Sequence, residues 1–228
     1  MKRAAIFGAS GGLARALAKE LLAQDWRVDA ICRTVRAEIV RGQFHAQIAA
    51  GTIRLHEVGD RYSDFKFENT FDAVIFTQAL FDPRPLSEMA SDEIIDEVAV
   101  GLTEPVLLTR DFLRSYPARN GMRRNVCFVG STSAYAGFKN TAVYCAVKHG
   151  LLGFVRALND EYAATEDRFW LFSMGTMRTE MGGRVQGQDA STYLDPQDVA
   201  RRMVGAFTAS TNLFEPEVII RRRTVKFL

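Results

Sequence analysis

Cysteine is scarce. Cys32, Cys127 and Cys145 are the three present in 228 residues, and they are scattered with no Cys-x-x-Cys spacing. That pattern argues against a disulfide framework or a thiolate metal site and fits a reducing compartment. His45, His56 and His149 stand far apart, none at metal-ligand spacing from a carboxylate, so each is expected in a structural role and no metal is expected. No apolar run approaches the ~20 residues of a membrane span. The opening Met1-Lys2-Arg3 leads into an apolar run that a glycine-rich turn cuts short, without the length or cleavage site of a signal peptide. A cytoplasmic location is therefore expected. Net charge is only +2, which supplies no field to draw nucleic acid or a membrane surface. The basic stretch Arg221-Arg222-Arg223 with Lys226 is expected to be a solvated end. Internal repeats and low-complexity tracts are missing too.

What the chain does contain is ordinary globular material: 47% hydrophobic and 25% charged residues, enough for one well-buried core, so one domain over 1–228 is the simplest organisation. Short β-rich runs alternate with amphipathic helical stretches. Strands are predicted at Ala4–Phe7, Arg27–Cys32, Thr52–Val58, Ala73–Thr77, Asn125–Val129, Phe169–Ser173 and Val218–Ile220. Helices are predicted at Leu13–Gln24, Arg36–Ala50, Ser91–Leu113 and Ala142–Ala164, and another opens at Asp195-Pro196. Ser91 reads as an N-cap followed by acidic residues, and Asp195 as an N-cap with proline at the first helical position. Near-continuous apolar strands alternating with helices mean a parallel sheet covered on both faces. The expected fold is thus α/β, a doubly wound, Rossmann-type sheet of about seven strands. Trp26 and Trp170 border strands and read as packing residues. The 16 phenylalanines suggest a well-filled core and an apolar interface.

Between the first strand and the first helix lies Gly8-Ala-Ser10-Gly11-Gly12-Leu13-Ala14. A nucleotide fold needs such a turn, because the backbone must approach a pyrophosphate while helix N-terminal N–H groups point at it. The spacing is Gly-x-x-x-Gly-x-Ala rather than Gly-x-Gly-x-x-Gly, so by itself the motif is weak and a tight turn that binds nothing is the alternative, but the strand and helix that flank it favour the nucleotide reading. The second strand ends at Cys32-Arg33 with no acidic residue for a ribose 2′-hydroxyl. Arg33, with Arg36 nearby, suits a 2′-phosphate, so NADP is expected over NAD, although Arg33 could equally be a surface cation.

Tyr144 and Lys148 sit one turn apart near the start of the helix from Ala142, on one face. A phenol is a poor acid or base at neutral pH, and a neighbouring ammonium is expected to lower its pKa toward the working range. Taken alone, Tyr-x-x-x-Lys is a common accident. Its context is Ser131, just past the fifth strand, at the carboxyl end where ligands bind in open α/β sheets. Ser131 is placed to hydrogen-bond a substrate carbonyl. Thr132 and Ser133 are rivals for that part, and turn formation is the bland account of all three.

With these features in order, the chain resembles the short-chain dehydrogenases/reductases over nearly its whole length. Gly8, Gly12 and Ala14 resemble the family's glycine motif. Asn125-Val-Cys-Phe-Val-Gly-Ser131 resembles its fifth strand and catalytic serine, and Tyr144 and Lys148 match its active-site pair. Met174-Gly175-Thr-Met177-Arg-Thr179 resembles its Pro-Gly-x-Val-x-Thr segment, and Asp195-Pro-Gln-Asp-Val-Ala200 its Pro-x-Asp-Val-Ala helix start. The resemblance implies hydride transfer between nicotinamide and a carbonyl or alcohol of a small-molecule substrate. It implies Ser131, Tyr144 and Lys148 as catalytic residues, with Lys148 also holding the nicotinamide ribose. The implied cofactor contacts are Gly8, Ser10, Gly11, Gly12, Leu13, Arg33, Ala79, Tyr144, Lys148, Gly175, Met177 and Thr179, with Thr179 near the carboxamide. A homodimer or homotetramer through the helices around 91–113 and 142–164 is implied likewise.

Two departures bear on activity. Where the family has Asn-Asn-Ala-Gly after the fourth strand, this chain has Phe76-Thr77-Gln78-Ala79-Leu80. Where the family has a relay asparagine in its fourth helix, Gly101 stands, with Pro105 close by, so a kinked helix is expected and no side-chain amide is offered. These departures keep open an NADP-binding sensor or interaction protein with little catalysis. A sugar-nucleotide epimerase or dehydratase is disfavoured, because little chain follows Thr179. Glu57 and Asp60 stand either near the adenine or on a surface turn. The substrate pocket is expected between the loop after Ser131, Phe81, Phe138 and the segment 180–194, of which Met181–Tyr193 is a candidate lid. The substrate itself is not readable from these residues.

Overall fold

The computed structural model describes residues 1–115, 123–209 and 213–223. The strands are β1 (Arg3–Phe7), β2 (Arg27–Arg33), β3 (Ile53–Val58), β4 (Ala73–Phe76), β5 (Asn125–Val129), β6 (Arg168–Met174) and β7 (Glu217–Ile220). They form one seven-stranded sheet in the order β3-β2-β1-β4-β5-β6-β7, with every neighbouring pair parallel. The order reverses between β1 and β4. Chain segments leaving those two strands diverge to opposite sides and open a crevice at their carboxyl ends.

The helices are α1 (Gly12–Ala23), α2 (Ala37–Ala49), α3 (Ser91–Val98), α4 (Glu104–Ser115), α5 (Ala142–Glu161) and α6 (Pro196–Thr208). Side chains alternate along each strand and sort into two cores. Ala4, Ile6, Ala30, Cys32, Ile75, Cys127, Trp170 and Phe172 pack with α1, α2 and α6. Ala5, Phe7, Ile31, Val74, Phe76, Val126, Phe128 and Leu171 face α4 and α5. Period-two alternation with both phases apolar is what a sheet covered on both faces requires. The second core is aromatic. Phe7 lies 5.3 Å from Phe65 edge-on and 5.1 Å from Phe76 stacked, measured between ring centroids.

Three elements differ from the sequence expectation. The α3 cap is Ala90, not Ser91, because the Glu93 carboxylate reaches back to accept the Ala90 N–H at 2.8 Å. The helix predicted over 91–113 is broken by a π-helical turn at Ala99–Thr103 rather than by a proline kink. Pro105 follows this turn at the second residue of α4, within one continuous helical run. The stretch before α2 is a 3-10 turn, Thr34–Arg36, and α2 itself is distorted at Phe44 (φ −121°, ψ 26°).

The tail is not simply solvated. Arg222 donates to the Thr192 hydroxyl at 2.7 Å and lies over the Tyr193 ring, which ties the end of the chain to the loop before α6. Lys226 lies outside the described residues. His56 has the structural place expected of it, 2.6 Å from the buried Asp29, which also accepts from Arg3 at 2.5 and 2.8 Å. Burial raises the Asp29 pKa, yet the hydrogen bonds from His56 and Arg3 outweigh it and leave the group below its ordinary value. Glu57 pairs with Arg41 on the surface. Trp26 and Trp170 are both core residues.

One ion pair lies inside the protein: Arg124 and Asp167 join the ends of β5 and β6 through a two-pronged contact, Nε to Oδ1 at 2.7 Å, with Arg124 also over Phe112. Removing one partner of such a pair strands the other charge in a poorly solvated place. Asp167→Ala is expected to cost about 3 kcal/mol or more in urea unfolding. A loss under about 1 kcal/mol, the range of an exposed pair, would contradict this.

Candidate active site

The glycine turn is built by backbone contacts. The Gly8 and Ala9 N–H groups both donate to the Ile31 carbonyl at 3.0 Å, and Gly11 N–H donates back to Gly8 O at 2.9 Å. Gly8 has φ +79°, and a Cβ there would stand 2.8 Å from both Gln78 N and Thr77 Oγ1. Any other residue would be strained and would clash, so this position requires glycine. No side chain caps α1, which leaves the first-turn N–H groups around Gly12 and Leu13 aimed into the crevice. Ser10 is half-buried at its rim.

After β4, the Thr77 hydroxyl donates to Phe7 O at 2.6 Å, and its N–H donates to the same carbonyl at 3.1 Å. These bonds hold the turn against β1: Gln78 turns inward beside Gly8, and Ala79 follows it, half-buried. Gln78 was not singled out from the sequence. It is buried, and neither end of its amide has a partner among the described residues. An amide is common in any chain, and only its burial without a partner marks it.

On the other side, Gly175 N–H donates to Ile220 O at 2.9 Å, and Met177 bridges to Leu194. Thr179 packs directly against the turn: a Cβ on Gly12 would lie 2.8 Å from its Cγ2. Arg33, at the end of β2, lies near the Tyr62 phenol and has a buried Nε without a partner among the described residues. Arg36 pairs with Glu180 at 2.8 Å. A cradle of small residues, orphaned polar atoms at Gln78 and Arg33, and an uncapped helix end together fit a dinucleotide.

The second half of the site gathers at the carboxyl end of β5. Ser131 caps the 3-10 turn Thr132–Ala134 by accepting the Ser133 N–H at 3.1 Å, and its hydroxyl is close enough to the Tyr144 phenol to favour the ionised form. Phe81 meets Tyr144 edge-on at 4.8 Å. Lys148 reaches under the ring, with Nζ 5.4 Å from its centroid, and donates to Val129 O at 2.9 Å. Phe138 is half exposed and has no recorded contact with this group.

The electrostatics correct one expectation. Lys148 was expected to pull the Tyr144 pKa down. Instead burial pushes the phenol up to about 12, with the Ser131 hydrogen bond opposing and the Glu97 carboxylate adding to the rise. Burial likewise pushes Lys148 down to about 8, with Glu97 pulling it back up. Desolvation is the largest cause of both shifts because both groups lie where water is excluded. Glu97 itself was missed. It is an acidic residue in an acidic helix, and nothing in its local sequence says that it faces inward.

The chain matches the family model for short chain dehydrogenase over residues 2–190. It therefore belongs to the short-chain dehydrogenase family, whose Rossmann-type fold and oxidoreductase chemistry frame the site. Among curated relatives, it is 22% identical over 213 residues to carbonyl reductase family member 4 of Xenopus laevis, covering 89% of each chain. Among solved structures, it is similar in fold to an alcohol dehydrogenase from Thermococcus sibiricus complexed with 5-hydroxy-NADP (TM-score 0.83, 20% identity, 100% of each chain). It is similar also to 4-hydroxyisoleucine dehydrogenase complexed with NADH (TM-score 0.82, 16% identity, 97% of each chain).

A buried ammonium whose pKa is lowered costs folding free energy wherever the unfolded chain would bind the proton more readily. For Lys148 that cost is fully present below pH 8 and fades as pH rises through the ordinary lysine range. Its size is on the order of 3 kcal/mol, from ~1.4 kcal/mol per pKa unit. Lys148→Met also gives up the bond to Val129 O, worth about 1 kcal/mol. The variant is expected to be more stable than the parent by on the order of 2 kcal/mol at pH 7, with the gap closing by pH 10, in denaturant titrations at both pH values. A variant less stable at pH 7 would make Lys148 a structural residue.

Proposed function

We propose that this protein is an NADP-preferring oxidoreductase that interconverts a carbonyl and an alcohol on a small-molecule substrate. One observation carries the reading. The Tyr144 phenol lies beside the Ser131 hydroxyl and over the buried Lys148, at the carboxyl edge of the sheet beside an uncapped glycine turn. The site offers two hydroxyl groups to one oxygen, an ammonium behind them, and an aromatic lid in Phe81.

The dinucleotide, when bound, supplies the hydride. The backbone N–H groups of Ser10, Gly12 and Leu13 would hold its pyrophosphate, with Gly8 and Gly11 shaping the turn, Gln78 and Ala79 its adenosine side, and Gly175, Met177 and Thr179 its nicotinamide end. Arg33, helped by Arg36, would take a 2′-phosphate. Ser131 and Tyr144 both hydrogen-bond the substrate oxygen, and Tyr144 gives it a proton. A phenol pushed up to about 12 is fully protonated at neutral pH, the form required of an acid in carbonyl reduction. Lys148 stabilises the phenolate left behind, an anion that an ammonium in a dry site attracts strongly. Phe81 keeps bulk water from the phenol. The groove between α4 and α5, lined by Val106, Leu113, Phe154 and Tyr162, supports self-association through those helices.

Tyr144→Phe removes the proton and leaves the ring and its packing. It is expected to lower carbonyl reduction by at least about 100-fold while NADPH binding by fluorescence changes little. Turnover retained in this variant would refute the assignment, and NADPH binding without reduction of any carbonyl in a broad panel by the parent protein would favour a sensor. For the cofactor, Arg33→Ser is expected to weaken NADPH roughly tenfold, about 1.4 kcal/mol, and to leave NADH within about twofold. Equal losses for both cofactors would remove Arg33 from phosphate recognition.

A further inference from the structure

A proton donor buried this deeply has to be recharged. Lys148 is 2% exposed, so the proton that Tyr144 gives up returns through protein groups or enclosed water rather than straight from solvent. Position 101 cannot help. It carries no side chain, and the space a Cβ would enter is taken by the Val147 Cγ1 at 2.6 Å. One turn earlier on the same face stands Glu97. It is 3% exposed, and its Oε1 is buried with no partner among the described residues.

A carboxylate in that state is costly, and a packed apolar side chain would serve stability better. Its surroundings explain what it faces. Lys148 and Tyr144 on α5 and Asp82 in the loop after β4 are the ionisable groups that act on it or feel its charge. Nearby, Arg84 is engaged with Asp82 and Glu93, not with Glu97. Lys148 spends one N–H on Val129 O, and an ammonium has further donors to offer. The π-helical turn at Ala99–Thr103 follows Glu97 directly, and irregularities of this kind gather at functional sites.

We propose that Glu97 is the positioning and proton-relay residue for the Tyr144–Lys148 pair, joining Lys148 to solvent past the exposed Asp82. This rests on the function proposed above. In the reduction direction the balance is as follows. The Tyr144 O–H breaks as the substrate O–H forms. The phenolate takes a proton from the Lys148 ammonium. The neutral amine takes one from the Glu97 carboxylic acid, directly or through a water. The carboxylate left behind recovers its proton from solvent. One solvent proton enters per carbonyl reduced, and the hydride comes from the nicotinamide. Burial and the Asp82 charge push Glu97 up to about 7, against the pull of Lys148, so both of its protonation states are within reach at neutral pH.

The test uses the full chain with Glu97→Gln, and Glu97→Asp as the conservative variant. In the parent, kcat for reduction is expected to fall as pH rises through about 7. In Glu97→Gln the limb set by the carboxyl group is lost, kcat at and below pH 7 drops roughly tenfold or more with KM for NADPH within about twofold, and the remaining fall follows the Lys148 ammonium. Glu97→Asp keeps the limb. A second readout needs no substrate: the Lys148 ammonium, followed by NMR, titrates near 8 in the parent and lower in Glu97→Gln, because the nearby negative charge is gone. The melting temperature of Glu97→Gln should be no lower than that of the parent. An unchanged pH profile together with an unmoved Lys148 titration would overturn the proposal, as would loss of fold in both variants, which would make Glu97 structural. If Tyr144→Phe remains active, the underlying reading fails. If Tyr144→Phe is dead and Glu97→Gln behaves as the parent, only the part given to Glu97 fails.

Discussion

The exclusion of water at the carboxyl edge of β5 governs the rest of this structure. Lys148 can be buried there only because the Val129 carbonyl, freed where the strand ends, accepts its N–H at 2.9 Å. That bond fixes the ammonium beneath the Tyr144 ring, and the ring in turn meets Ser131 and Phe81. The same dryness that holds the group together raises the phenol and lowers the amine. The protonation of the site is therefore set by desolvation rather than by the pairing of Tyr with Lys that the isolated motif suggests.

The sheet supplies the geometry for this at modest cost. Parallel strands end together, and the β1/β4 switch opens the crevice beside them. A turn that needs glycine by backbone conformation, at Gly8, lies next to a turn anchored by Thr77. The aromatic core around Phe7, Phe65 and Phe76 makes the floor rigid on the side facing α4 and α5. Close packing on that side also leaves no room above Gly101, where Val147 already sits. A side chain missing from one helical turn is thus not an empty place, and polar help for Lys148 must come from elsewhere on the helix.

Much of this was legible in the chain. Period-two apolar runs alternating with helical stretches carry the strand and helix order, because a sheet covered on both faces needs both phases of each strand apolar. The glycine turn, Ser131, Tyr144 and Lys148 were visible because their spacing is local, set by one turn or one helix. The π-helical turn was not visible, since Gly101 and Pro105 predict a kink equally well. Nor were Arg222 over Tyr193, the inward Gln78, or the cap at Ala90, each of which depends on a partner distant in sequence or on a side chain choosing one rotamer.

The sequence by itself determined the class of fold, the family, and which residues gather at the carboxyl edge of the sheet, because periodicity and short-range spacing are properties of neighbouring residues. Only the tertiary structure decided how those residues are charged and what stands behind them. Burial is a property of everything packed around a group. Glu97 looks in the sequence like any other acid on a solvated helix, and it becomes a partnerless carboxyl group facing Lys148 only when α3 and its π-helical turn are laid against α5.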